Sequence, residues 1–129
     1  MNNFRKTILY TNSDGFAKFK DEDIPFSQGS PQSQLTELMN SDGYQLRFSP
    51  IGFRSDFHVT KKAQWVFILQ GQMEIGLQDG TKRLFSRGDH FFSNDVLPEG
   101  VQFNNKIHGH CSRQVGDEPL VTLFLQDIL

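Results

Sequence analysis

The sequence predicts an all-β, single-domain protein, and three observations carry the prediction. Apolar and polar residues alternate in short runs, as in Tyr44, Leu46 and Phe48 or Met73, Ile75 and Leu77, which is the period of a strand with one covered face. No long segment repeats at about 3.6 residues, the helical period. The dipeptide Asp79-Gly80, set between two such runs, is the strongest hairpin signal in the chain. Short strands at fairly even spacing, with glycine turns between them, point to an antiparallel barrel or sandwich.

Taken in order, Lys6 to Tyr10 reads as a short strand ended by the turn residues Asn12, Ser13, Asp14 and Gly15. Phe16, Phe19, Ile24 and Phe26 follow without a clean period, and Ser27 to Gln34 reads as a polar loop. Leu35, Leu38 and Met39 are spaced for one helical turn, but Asn40 to Gly43 stops anything longer, so a linker turn is the better reading. Tyr44 to Ser49 alternates as a half-buried strand closed by Pro50 and Gly52. A central strand runs to Gly71, and Met73 to Leu77 pairs through Asp79-Gly80 with Thr81 to Phe85. Arg87-Gly88-Asp89 turns the chain into a strand beginning at His90, Asn94 to Asn105 reads as a loop, and His108 to Gln114 and Leu120 to Leu125 close the set. The division expected is one domain over 1–129, with 1–43 an N-terminal arm with strands and 44–125 the barrel core.

Composition narrows the function classes. Hydrophobic residues at 36% and charged residues at 22% fit a globular chain rather than a disordered one. A net charge of -2 supplies no basic field for nucleic acid. No apolar run approaches the roughly 20 residues of a membrane-spanning helix, and the apolar patch Ile8 to Tyr10 is too short for a signal-peptide core. The single Cys111 excludes an internal disulfide and fits a reducing cytoplasm.

The stretch Gly52 to Gly71 is the centre of the functional reading. In one uninterrupted strand, His58, Thr60, Gln64 and Val66 share a face, while Val59, Trp65, Phe67 and Leu69 take the other. The second face is too apolar to stand in water, so it packs outside and leaves the polar face to line an interior. Trp65, Phe67 and Leu69 then need cover, which a second sheet or a partner subunit would give; this predicts a homodimer.

These residues resemble the cupin superfamily over roughly Tyr44 to Leu125. Gly52, His58 and Gly71 match the glycine, first histidine and closing glycine of the family's first motif, with Thr60 where a second histidine stands and Gln64 where a glutamate stands. Asp79, Gly80, Arg83, Phe85, Gly88 and Asp89 resemble the inter-motif hairpin and the start of the second motif. Pro98 and Gly100 imitate that motif's Pro-x-Gly, but Phe103 would then occupy the histidine position; His110 is the better match, with Asn94 to Asn105 as a lengthened loop. More narrowly, LYTNSDG, FKDEDIP, FRSDFH and GHCSRQVGDEP are similar to segments of small bacterial single-domain cupins of unassigned activity.

The resemblance implies a cupin-type double-stranded β-helix, or jelly-roll barrel, with an N-terminal arm. It implies a pocket lined by His58, Thr60, Gln64, His108 and His110. That pocket would bind a small molecule, either metal-free or with a divalent ion (Fe, Mn, Ni or Zn) on His58, Gln64 and His110; the alternative is an isomerase- or dioxygenase-type enzyme on a small polar metabolite. His90 reads as a surface residue, Asp56 as a turn cap, Lys61-Lys62 as a solvated edge, and Cys111 and Arg113 as facing away from the pocket.

Overall fold

The computed structural model describes residues 2–128. In chain order the strands are β1 (Asn3–Thr11), β2 (Ala17–Pro25), β3 (Gln28–Ser30), β4 (Ser33–Leu35), β5 (Ser41–Ser49) and β6 (Gln64–Gln70). They continue with β7 (Gln72–Leu77), β8 (Lys82–Ser86), β9 (His90–Asn94), β10 (His110–Val115) and β11 (Leu120–Asp127). A six-stranded sheet in the order β2-β1-β9-β6-β11-β5 faces a three-stranded sheet β10-β7-β8, and β3 and β4 form a separate small hairpin. This is an all-β jelly-roll sandwich, as the alternating pattern predicts, and the described residues contain no helix.

Leu35 to Met39 makes no helical turn: Leu35 ends β4 and the chain then runs irregularly into β5. The segment Ser27 to Gln34, read as a loop, is instead mostly the β3–β4 hairpin, with Gly29 opposite Gln34. The N-terminal stretch supplies two full strands, β1 and β2, to the larger sheet rather than only wrapping it. β1 also runs parallel to β9, with Ile8 opposite Phe92, the one departure from antiparallel pairing among the described strands.

The core fills the space between the sheets. Leu9, Ala17, Val66, Ile68 and Leu120 come from the larger sheet's side, and Met73, Ile75, Leu77 and Phe85 from the smaller. At β5 the alternation holds but its direction is the unexpected one. Arg47 and buried Ser49 face inward, while Tyr44, Leu46 and Phe48 stand exposed on the outer surface. The register extends that outer surface across Leu123 and Leu125 of β11 to Phe67 and Trp65 of β6. Trp65 and Phe67 stack at 5.6 Å, and Phe4, His90 and Phe92 close around Trp65. The Lys6 ammonium lies over the Trp65 and Phe92 rings at 4.7 and 3.9 Å. Neighbouring side chains thus half-cover Trp65 and Phe67, and Leu69 remains exposed.

Candidate functional site

The stretch Gly52 to Gly71 is not one strand. Only Gln64 to Gln70 belongs to β6; the part before it is irregular and lies along the free edge of β10. It is held there by two isolated bridges, Arg54 with Arg113 and His58 with His110. At the second bridge, His58 N donates to His110 O and His110 N donates to His58 O, both at 2.9 Å. Gly109 permits this approach. Its φ is +86°, and a Cβ there would sit 2.5 Å from the His58 carbonyl oxygen.

A cavity of about 330 Å³ opens between the sheets. His58, Thr60, Gln64 and His110 line it together, so the structure brings four of the five pocket residues named from the sequence to one place. His108 is not among them. The left-handed turn at Gly109 breaks the parity between 108 and 110, and β10 begins only at His110. The His108 ring packs near Gly15 and Phe103, and its Nδ1 accepts a hydrogen bond from Asn104 N at 2.9 Å. That corrects its assignment to the pocket.

The two cavity histidines stand 4.7 Å apart between ring centroids. His58 Nδ1 lies 2.9 Å from the Asp56 carbonyl oxygen. A carbonyl only accepts, so Nδ1 carries the proton and donates, and Nε2 is the ring nitrogen left free. His110 Nδ1 lies 2.8 Å from Asp95 Oδ2, with both residues buried, so Nδ1 again donates and Nε2 again is free. His58 keeps an exposed edge at the cavity mouth. Enough protein nevertheless packs round it that burial lowers its pKa, against the Asp56 bond, and His110 and Arg47 lower it further.

Asp95 is the residue that sequence reasoning missed. It stands 1% exposed and accepts from Thr11 Oγ1 at 2.7 Å as well as from His110, while its backbone oxygen accepts from Thr60 N at 2.8 Å. Thr60 Oγ1 meets Ser93 Oγ at 2.6 Å, so its hydroxyl is engaged within the wall. The signal for Asp95 was present in parity: Phe91, Ser93 and Asp95 alternate inward from β9, all buried.

The remaining expectations fall outside the cavity or at its mouth. Arg113 points away and pairs with Glu74 through two contacts of 2.8 and 3.2 Å. Cys111 Sγ sits 3.7 Å from Gly76 O on the outer side of β10. Lys61 and Lys62 stand at the cavity mouth, with Lys62 paired to Asp42. His90 is half-buried against Phe4 and Trp65, and its Nε2 accepts from Thr7 N at 3.3 Å.

The donor set can be weighed against a metal ion. Among the described residues no group of three or more His, Cys, Asp or Glu side chains is arranged to hold one. At the cavity a cation would find two imidazole nitrogens and the neutral amide oxygen of Gln64, while the nearest carboxylate, Asp95, is turned to His110 Nδ1. A catalytic zinc site takes about three protein ligands with histidine or anionic donors, so this set does not fit a tightly held ion.

No protein-family model matches this chain, and no curated protein matches it. Among solved structures it is similar to the cupin domain of Cnp3 from Schizosaccharomyces pombe, at 14% identity over 98% of this chain and 86% of that one, with a TM-score of 0.48. A likeness at that level speaks to neither ligand nor activity. What the two facing sheets show by themselves is an all-β jelly-roll sandwich.

Proposed function

We propose that this protein binds a small molecule in the cavity between its sheets, with His58 and His110 as the recognition groups. One observation carries the reading: both imidazoles are tied at Nδ1 to wall acceptors, Asp56 O and Asp95, which leaves two Nε2 lone pairs as hydrogen-bond acceptors at the same cavity. A core histidine placed only for packing has no need of a neighbouring histidine with the same tautomer. The cavity, at about 330 Å³, lies at the small end of the usual range for ligand sites.

An enzymatic reading has one specific support. Asp95 orients His110 as a carboxylate orients a general base, so a ligand proton donor placed at Nε2 would meet a preset acceptor. A divalent metal (Fe, Mn, Ni or Zn) remains the weaker proposal, because Gln64 contributes no charge, and no chemical step is assigned to one. We also propose a homodimer through the outer face of the larger sheet, where Tyr44, Leu46, Phe48 and Leu69 stand exposed beside β5, a sheet edge with one unpaired side.

The test is a thermal-shift screen of small polar metabolites run on the wild type and on a His58→Ala, His110→Ala double variant. Compounds that stabilise the wild type alone support the site; compounds that stabilise both equally place recognition elsewhere. Elemental analysis of protein purified without added metal or chelator tests the metal proposal in parallel.

A further inference from the structure

The charge around the cavity is one-sided. Its ionisable lining outside the histidines is Arg47, Lys61 and Lys62, and no Asp or Glu side chain lines it. This stands against a chain whose net charge is -2. Lys62 is paired with Asp42, and Lys61 is exposed. Arg47 is different: it is half-buried on β5, and among the described residues it forms no ion pair and no side-chain hydrogen bond. Its guanidinium carbon lies 4.6 Å from the centre of the Phe53 ring and 5.9 Å from that of Phe124. A guanidinium carries five N–H donors, and at half-buried Arg47 they are left for water or a ligand to meet. The two aromatic rings hold the plane of the group in place and leave its donor edge unused.

We propose that Arg47 is the anchor for a carboxylate, and that the molecule taken into the cavity is a small monocarboxylate whose other end reaches His58 and His110. The inference rests on the small-molecule reading of the same cavity. A planar fork fits a carboxylate through two parallel N–H···O bonds. The wall offers one fixed cation rather than several, and the Nε2 atoms of His58 and His110 are acceptors, which repel a second anionic group. A phosphate dianion would therefore be under-paired here. The burial that lowers the pKa of Arg47 is the desolvation an anion would compensate.

The experiment is a ¹H–¹⁵N titration that follows the Arg Nε–H signals and the backbone amides of the cavity wall. The probes are benzoate, butyrate, benzamide and inorganic phosphate. The proteins are wild type, Arg47→Gln, Arg47→Lys and the His58→Ala, His110→Ala double variant, each checked first for an unchanged amide spectrum away from the cavity. The expected result is saturable movement of the Arg47 signal with a carboxylate. Affinity should drop about tenfold or more in Arg47→Gln, as for loss of a charge-assisted pair, and less in Arg47→Lys. Benzamide and phosphate should bind markedly more weakly than benzoate.

Equal binding of benzamide and benzoate, or unchanged carboxylate affinity in Arg47→Gln, overturns the anchor. So does a failure of both carboxylates to move any cavity signal, and so does tighter binding of phosphate. If benzamide binds as well as benzoate and the histidine double variant loses both, the cavity remains a ligand site and only the carboxylate is wrong. If the carboxylates move amides outside the cavity, the small-molecule reading of this site fails as well.

Discussion

Gly109→Ala is the substitution with the most legible consequence. An alanine at φ +86° adopts a backbone region that disfavours a Cβ by about 1–2 kcal/mol. The added Cβ would also stand 2.5 Å from the oxygen, 2.8 Å from the carbon and 3.0 Å from the nitrogen of the His58 backbone. Those are backbone atoms and cannot rotate aside, so the segment carrying His58 must move off β10. That breaks both hydrogen bonds of the His58–His110 bridge, each worth about 0.5–1.5 kcal/mol net. The combined loss is about 2–5 kcal/mol, which at a urea slope of about 2 kcal/mol/M moves the unfolding midpoint down by about 1–2.5 M. Urea titration followed by tryptophan fluorescence measures it, since Trp65 is the single tryptophan. Ligand binding by the folded fraction should fall further than stability does, because the two imidazoles lose their spacing. A midpoint within about 0.3 M of wild type would refute the reasoning, since strain at positive φ alone exceeds that.

Three further outcomes are expected. His58 and His90 both have pKa values lowered chiefly by burial, so the unfolded chain takes up protons below about pH 6.5 that the folded chain refuses. Stability should be full above that value and decline as the pH falls toward the lowered folded-state values; urea midpoints from about pH 7.5 to about pH 5.5 should show it, with the slope reduced in His58→Gln and His90→Gln, and a flat profile would contradict it. Gln64→Glu places a carboxylate beside the two imidazoles and should strengthen Mn²⁺ or Zn²⁺ binding about tenfold or more by calorimetry, whereas no gain would remove Gln64 from the histidine site. Light scattering should give a mass twice the 14.8 kDa chain, with Leu46→Lys and Phe48→Lys shifting it toward monomer; a wild-type monomer at every concentration would dismiss the interface.

The fold was legible because its signals are local. Asp79-Gly80 closes the β7–β8 hairpin as its sequence requires, with Gly80 N donating to Leu77 O. Alternation found β5 and β7, since a strand's period is written in adjacent residues, and the turns before His90 and Leu120 marked the starts of β9 and β11. The site was legible only in part, because it depends on where strands break. Parity grouped His58 with Thr60 and Gln64, although an irregular stretch separates His58 and Thr60 from Gln64, the first residue of β6. The same rule placed His108 with His110, and there one left-handed glycine defeated it. Asp95 continues the inward parity of Phe91 and Ser93, but it follows the end of β9 and reads as loop, so its role shows only in the pairing with His110. The inward turn of Arg47 was equally unreadable: which side of β5 faces the cavity is decided by its register with β11, where Arg47 lies opposite fully buried Thr122.

The order of strands in the larger sheet has a consequence for how the chain reaches its native state. β1 pairs with β9 across more than eighty positions, and among the described residues β5 has a sheet partner only in β11, with Phe48 opposite Val121. Closing such long loops is entropically expensive, so folding should fall in the millisecond-to-second range typical of sandwiches rich in distant contacts. During synthesis the β1–β2 and β7–β8 hairpins can form early, since their partners are adjacent. β5 cannot: it waits with its backbone edges unpaired until β11 leaves the ribosome, a window in which association with other nascent chains competes with folding. The strand made latest among those described is the one that joins β5 to β6, and with it Arg47 to the wall that carries Gln64.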